Sequence, residues 1–134
     1  MEKSVVEMEI YFPSDDMVNT RIGNMVIETG DAPDMPSPFL LFLTSIGACA
    51  GIYVKGFCKK RGLPLDGIRI IQRMTSRTAN GPIEGIELDI QLPPEFPAKY
   101  YDAVIRAADQ CAVKKHLENP PKFNVHTSVS QPNA

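Results

Sequence analysis

Met35-Pro36-Ser37-Pro38-Phe39-Leu40-Leu41-Phe42-Leu43-Thr44-Ser45-Ile46-Gly47-Ala48-Cys49-Ala50-Gly51-Ile52-Tyr53-Val54 is the stretch that decides the fold. No charge occurs between Phe39 and Val54. Ser37 suits an N-cap, and Pro38 suits the first helical position, where a missing N–H costs nothing. Downstream, Lys59, Lys60 and Arg61 complement the negative end of the helix dipole, and Gly62 suits the left-handed residue that closes it. A helix over 38–61 is expected, about 36 Å long at 1.5 Å per residue. Its first two-thirds is apolar all round and calls for burial in the middle of the protein. Gly47 and Gly51 flank Cys49 in the helix interior, where each costs up to about 1 kcal/mol against alanine. Close packing, or room around the thiol, is the expected reason.

Outward from this helix, Val5 to Phe12 reads as a strand ended by Pro13-Ser14-Asp15-Asp16, with Asn24 to Thr29 as its partner. Met17 to Gly23 fits neither helix nor strand clearly. Gly67 to Thr78 and Ile83 to Leu92 read as a hairpin turned at Asn80-Gly81-Pro82. After the rigid Pro93-Pro94-Glu95-Phe96-Pro97, Ala98 to about Leu117 reads as a second helix with Tyr101, Val104, Ile105, Ala108 and Cys111 or Ala112 on one face. Phe123 to Val129 alternates as a last strand. The pattern is β-β-α-β-β-α-β, an α+β fold with a long buried central helix, and residues 1–134 read as a single domain. So short a chain has little with which to wrap an all-apolar helix. Two interlocked copies would cover it, so a homodimer is expected.

Composition narrows the function. At 43% hydrophobic, 22% charged and a net charge of −2, the chain reads as an ordinary globular protein without the basic excess of a nucleic-acid binder. The N-terminus lacks the apolar core of a secretory signal, and the uncharged run is short and rich in Ser, Thr and Gly for a bilayer span. A cytoplasmic location, with no membrane and no nucleic acid as partner, is the expectation. Three cysteines are an odd number for a disulfide framework and point to reactive thiols. No C-x-x-C occurs, and His116 and His126 make no ligand spacing with a cysteine, so neither metal nor cofactor is expected. Cys58, nine residues after Cys49, falls on the opposite side of the helix and reads as structural.

Several motifs together resemble the OsmC/Ohr family of small thiol proteins, many of them organic-hydroperoxide reductases. They are Pro36-Ser37-Pro38 leading into Leu40-Leu41-Phe42-Leu43, then Ser45-Ile46-Gly47-Ala48-Cys49, Lys60-Arg61-Gly62-Leu63-Pro64-Leu65 and Ala107-Ala108-Asp109-Gln110-Cys111-Ala112-Val113. The resemblance implies an intertwined homodimer with Cys49 as peroxidatic and Cys111 as resolving cysteine. The first would attack the O–O bond of an organic hydroperoxide and become a sulfenic acid, which the second would convert to a disulfide. An unidentified dithiol reductant would close the cycle.

This chemistry needs a thiolate. An ordinary thiol is only about 3% ionised at pH 7, so full deprotonation gains about thirty-fold in the reactive form. The family supplies an arginine held by a glutamate near the start of the long helix; this chain has Phe39 and Leu40 there. Arg21, the one arginine of the N-terminal third, is the candidate activator. Phe39, Phe42 and Tyr53 are candidates to line an apolar substrate pocket, although core packing explains each as well. The family's proline after the second cysteine is Ala112 here. These departures keep a second function open: a non-peroxidase dimer that binds a small apolar ligand or senses oxidants through the dithiol.

Overall fold

The computed structural model describes residues 6–130. Its elements are β1 (Glu9–Ser14), β2 (Met17–Ile22), β3 (Met25–Gly30), α1 (Pro38–Lys60), β4 (Arg69–Thr75), β5 (Gly85–Gln91), a single 3-10 turn (Ala98–Tyr100), α2 (Tyr101–Ala108) and α3 (Ala112–Glu118). The chain divides into two compact units, each assembled from separate segments. The first comprises 1–48 and 70–89, the second 49–69 and 90–134.

In the first unit β1, β2 and β3 form an antiparallel sheet in that order. The expected pairing of the first and third segments is corrected: Met17–Ile22 lies between them. Its polar Asn19, Thr20 and Arg21 hide the strand pattern, but the sheet takes Asn19 inside, where Thr29 is also buried and donates its hydroxyl to the Val18 carbonyl. Gly23, at φ +56°, makes the tight link to β3. The β1–β2 register shifts between Tyr11 and Ser14, at Pro13, which has no N–H for the ladder. The expected start of the first strand, Val5, lies outside the described residues.

The long helix forms almost as expected. The Leu40 amide donates to Ser37 Oγ at 3.1 Å, completing the N-cap. At the other end Leu63 N–H reaches the Cys58 carbonyl at 2.9 Å and Gly62 N–H the Lys59 carbonyl at 3.3 Å, with Gly62 at φ +65°. That is a Schellman closure. Leu43, Ile46, Ala50, Val54, Phe57 and Cys58 are buried, at spacings of three and four that make one stripe. The helix is not covered all round: Phe39 and Leu40 at its start, Phe42 and Tyr53 beside the stripe, and Ile52 opposite it are exposed. Complete burial of α1 is therefore not achieved within one chain. By length and composition α1 would also suffice to cross a membrane.

β4 and β5 pair as a two-stranded sheet, tied by Arg73 to Glu87 at 2.8 Å and Asp89 at 3.2 Å. Two C-terminal expectations are corrected. The helix expected from Ala98 to Leu117 breaks at 109–111, where Cys111 takes φ −47° and ψ 121° and ends the helical ladder. The alternating segment Phe123 to Val129 forms no strand; Phe123, Val125 and Val129 are 86%, 93% and 92% exposed. Alternation supports a strand only where an edge is available to pair with it.

Candidate active site: two thiols at a broken helix

Cys49 and Cys111 meet in the second unit. Cys49 projects from α1 and is half-buried, whereas Cys111 is 2% exposed. Cys111 occupies the N-cap position of α3, directly before Ala112. N–H groups in the first turn of a helix have no acceptor within it. Here those of Val113 and Ala112 are directed to the Cys49 sulfur. The Cys111 thiol makes a third hydrogen bond to the same sulfur.

The electrostatic result is a Cys49 thiol held below its ordinary pKa. The Val113 amide contributes most, then the Cys111 thiol, with a smaller contribution from the Ala112 amide; partial burial opposes them. All three donors favour the thiolate because each points positive hydrogen at the sulfur. The break in the expected helix is what makes this possible. A continuous helix through 109–113 would have committed those amides to carbonyls four residues back. Lys114 Nζ to Asp109 Oδ1 at 2.9 Å and Lys115 Nζ to Gln110 Oε1 at 3.2 Å brace the break from outside.

The remaining residues singled out in the sequence lie as follows. Arg21 stands opposite Glu9 in the β1–β2 ladder, pairs with its carboxylate, and lies over the Tyr11 ring at 4.4 Å. Its guanidinium is engaged within the first sheet. Phe39 and Phe42 stack with centroids 5.7 Å apart. Phe42, Cys49 and Tyr53, at i, i+7 and i+11, share one face of α1, which is half-open to solvent. Cys58 is fully buried, and desolvation pushes its thiol above the ordinary value against a smaller opposing pull from Arg61. Among the described residues no group of three or more His, Cys, Asp or Glu gathers as a metal-ligand set.

Sequence reading missed the two amides. Backbone donors have no residue signature, but Ala112 in the place of the family's proline was a readable sign, since alanine carries an N–H there and proline does not.

An α+β fold built on one long apolar helix, with a thiol on that helix facing a second thiol at a helix start, defines a dithiol protein. The chain belongs to the OsmC-like protein family, whose model matches residues 30–126. Solved structures similar to it include a Psychrobacter arcticus protein put forward as an osmotic stress induced and detoxification response protein. The TM-score is 0.68 at 15% identity, over 85% of this chain and 89% of that one. A hypothetical protein from Aquifex aeolicus gives 0.62 at 20% identity over 88% and 90%. An OsmC-like protein from Mycoplasma pneumoniae gives 0.58 at 11% identity over 90% and 91%. At these identities the likeness is one of fold. No curated protein matches the chain.

Proposed function

We propose that the protein is a thiol-dependent peroxidase for organic hydroperoxides. The observation that carries the reading is the Cys49 sulfur, held by the Cys111 thiol and two backbone amides and thereby kept more acidic than an ordinary thiol. The Cys49 thiolate attacks the terminal peroxide oxygen. The O–O bond breaks, an alkoxide departs, and Cys49 becomes a sulfenic acid. Cys111 attacks that sulfur, a Cys49–Cys111 disulfide forms, and the hydroxyl leaves as water after taking a proton. A dithiol reductant of the cytoplasm restores both thiols.

Tyr53, which follows Cys49 by one turn on the same face of α1 within the second unit, supplies an apolar wall for the substrate. Such a wall favours alkyl hydroperoxides over hydrogen peroxide by about 0.8 kcal/mol for each methylene buried. The uncovered apolar residues of α1 support a homodimer, in which a second copy covers what one chain leaves open, Ile52 at 65% exposure included.

The test is to mix the reduced protein with one equivalent of cumene hydroperoxide near pH 7 and follow peroxide loss, mapping the product by intact and peptide mass. Rapid loss with a Cys49–Cys111 disulfide is expected, and none in Cys49→Ser. Equal rates in the two proteins would refute the mechanism. Phe39 and Leu40, in place of the family's glutamate, favour a second reading, a dimer that binds a small apolar ligand or senses oxidants through the dithiol. Intact thiols after prolonged exposure, together with saturable binding of an apolar fluorophore, would select it.

A further inference from the structure

The charges of this chain are divided unevenly between its two units. The first carries eleven aspartates and glutamates against four lysines and arginines. The second carries ten lysines and arginines against five acids, a side-chain charge of +5 in a chain of net −2. Cys49 and Cys111 both belong to the basic unit. The cations also differ in their pairing. In the first unit Arg21, Arg73 and Arg77 each meet a carboxylate, whereas among the described residues of the second only Lys114 does. Lys59, Lys60 and Arg61 at the end of α1, and Lys99 after it, are exposed and stand in no ion pair among the described residues. Aromatic rings hold two of them. The Arg61 guanidinium lies 3.8 Å from the Phe57 centroid and 5.7 Å from that of Tyr100, and Lys99 Nζ lies 5.1 Å from the same Tyr100 ring. Arg61 also donates to the Phe57 carbonyl at 3.2 Å. The end of a helix dipole amounts to about half a negative charge, so it offsets little of four cations.

An open track joins these cations to the sulfur. Cys49, Tyr53, Gly56 and Lys60, at i, i+4, i+7 and i+11, share one face of α1. Cys49 is half-buried and the other three are exposed, and a Cβ on Gly56 would meet nothing within 4 Å. At 1.5 Å per residue, Lys60 lies about 16 Å along the helix from Cys49, farther than a small thiol spans but well inside the roughly 800 Å² that a protein partner covers. We propose that the reductant of the Cys49–Cys111 disulfide is an acidic dithiol protein that docks along this track, its carboxylates on Lys59, Lys60, Arg61 and Lys99. The inference rests on the peroxidase reading and names the partner of the same site. Cys49 is the sulfur within reach, since Cys111 is 2% exposed. A thiolate of the partner attacks Cys49, the S–S bond breaks, and Cys111 leaves as a thiolate and takes a proton. The partner's second thiol, once deprotonated, attacks its own sulfur in the mixed disulfide and releases Cys49. Two electrons pass to this chain, and the partner keeps the disulfide.

The test uses two synthetic dithiol peptides of equal length, each with two cysteines and a tail of six glutamates or six lysines. Six extended residues span about 20 Å, enough to follow the track. The protein is first oxidised with one equivalent of cumene hydroperoxide, and the return of its two thiols is followed by mass. Each peptide's rate is divided by its own rate with hydroxyethyl disulfide, a neutral reference that removes differences in thiol acidity. At about 10 mM salt, where charges act over about 30 Å, the glutamate peptide is expected to be at least about tenfold faster. At about 1 M salt the ratio should fall to about one. In a protein carrying Lys59→Glu, Lys60→Glu and Lys99→Glu the preference is expected to vanish or reverse. Should that protein not fold, Lys59→Gln, Lys60→Gln and Lys99→Gln take its place, with the preference lost. A ratio at or below one in wild type at low salt, or a preference that survives the substitutions, overturns the docking site. So does a changed oligomeric mass in the substituted protein, which would assign these cations to a second copy of the chain. Each of these outcomes leaves the peroxidase reading standing. Failure of wild type to form the disulfide with peroxide removes that reading, and this inference with it.

Discussion

Ala112 carries a backbone N–H where the family resemblance implies a proline. Its N–H, with that of Val113, bonds the Cys49 sulfur. Proline at this position would delete that donor and little else. It suits the first position of a helix, and Cys111, at φ −47° and ψ 121°, already has the extended backbone required before proline. Ala112→Pro is therefore expected to fold normally and to raise the Cys49 pKa, whereas Ala112→Gly leaves it unchanged. Thiolate absorbance against pH measures both. Linkage has a definite sign here: a thiol with a lowered folded-state pKa adds stability that is present above the ordinary value of 9.0 and lost as pH falls through the lowered one. Cys58 behaves oppositely. Its raised pKa adds stability below 9.0 that is lost as pH rises toward the raised value. Urea unfolding between about pH 7 and about pH 10 should show wild type losing stability relative to Cys58→Ala on the alkaline side. Of these residues the two candidate cysteines were legible from position and neighbours. The amides were not, because their direction is a property of backbone conformation.

At the scale of elements, helix α1 was legible almost to the residue because its signals are local: a serine cap, a proline in the first turn, basic residues and a glycine at the end. Removing the cap in Ser37→Ala is expected to cost about 1 kcal/mol, measurable by chemical denaturation. Gly47 answers its sequence-level question. A Cβ there would lie 2.4 Å from Gln72 Oε1, whose amide nitrogen donates to the Leu43 carbonyl at 2.9 Å. The glycine makes room for a side chain from β4 to reach the helix backbone. Gly30 is under a harder constraint, since a Cβ would fall 2.0 Å from the Asp16 backbone oxygen. Backbone yields less readily than the end of a glutamine, so Gly30→Ala is expected to cost at least about 2 kcal/mol and lower Tm. The misread elements failed for non-local reasons. β2 is polar in sequence and becomes a strand because two neighbours pair with it. The break between α2 and α3 contains neither glycine nor proline. Local propensity continues a helix there, and the contact of Cys111, Ala112 and Val113 with Cys49 is what accompanies its interruption.

For the whole molecule, the proposed homodimer would cover the exposed apolar residues of α1, Ile52 among them. A mass near twice 14.8 kDa is expected in sedimentation equilibrium. Ile52→Glu should shift it toward the single chain, because an unpaired carboxylate is costly to bury in an apolar interface. A monomeric mass for wild type would remove the dimer reading. What the sequence by itself determined is what depends on neighbours within a few turns: α1 and its ends, the hairpin of β4 and β5, the α+β class and the place of the two cysteines. Only the tertiary structure decided that β2 is the central strand of its sheet, that the last helix breaks, that 123–129 stays unpaired, and that two amides and a second thiol converge on Cys49. The physical reason is range. Caps, turns and periodicity act over a few residues, whereas strand pairing and the direction of a hydrogen bond onto a sulfur depend on groups some sixty residues apart in the chain, Cys49 and Cys111 among them.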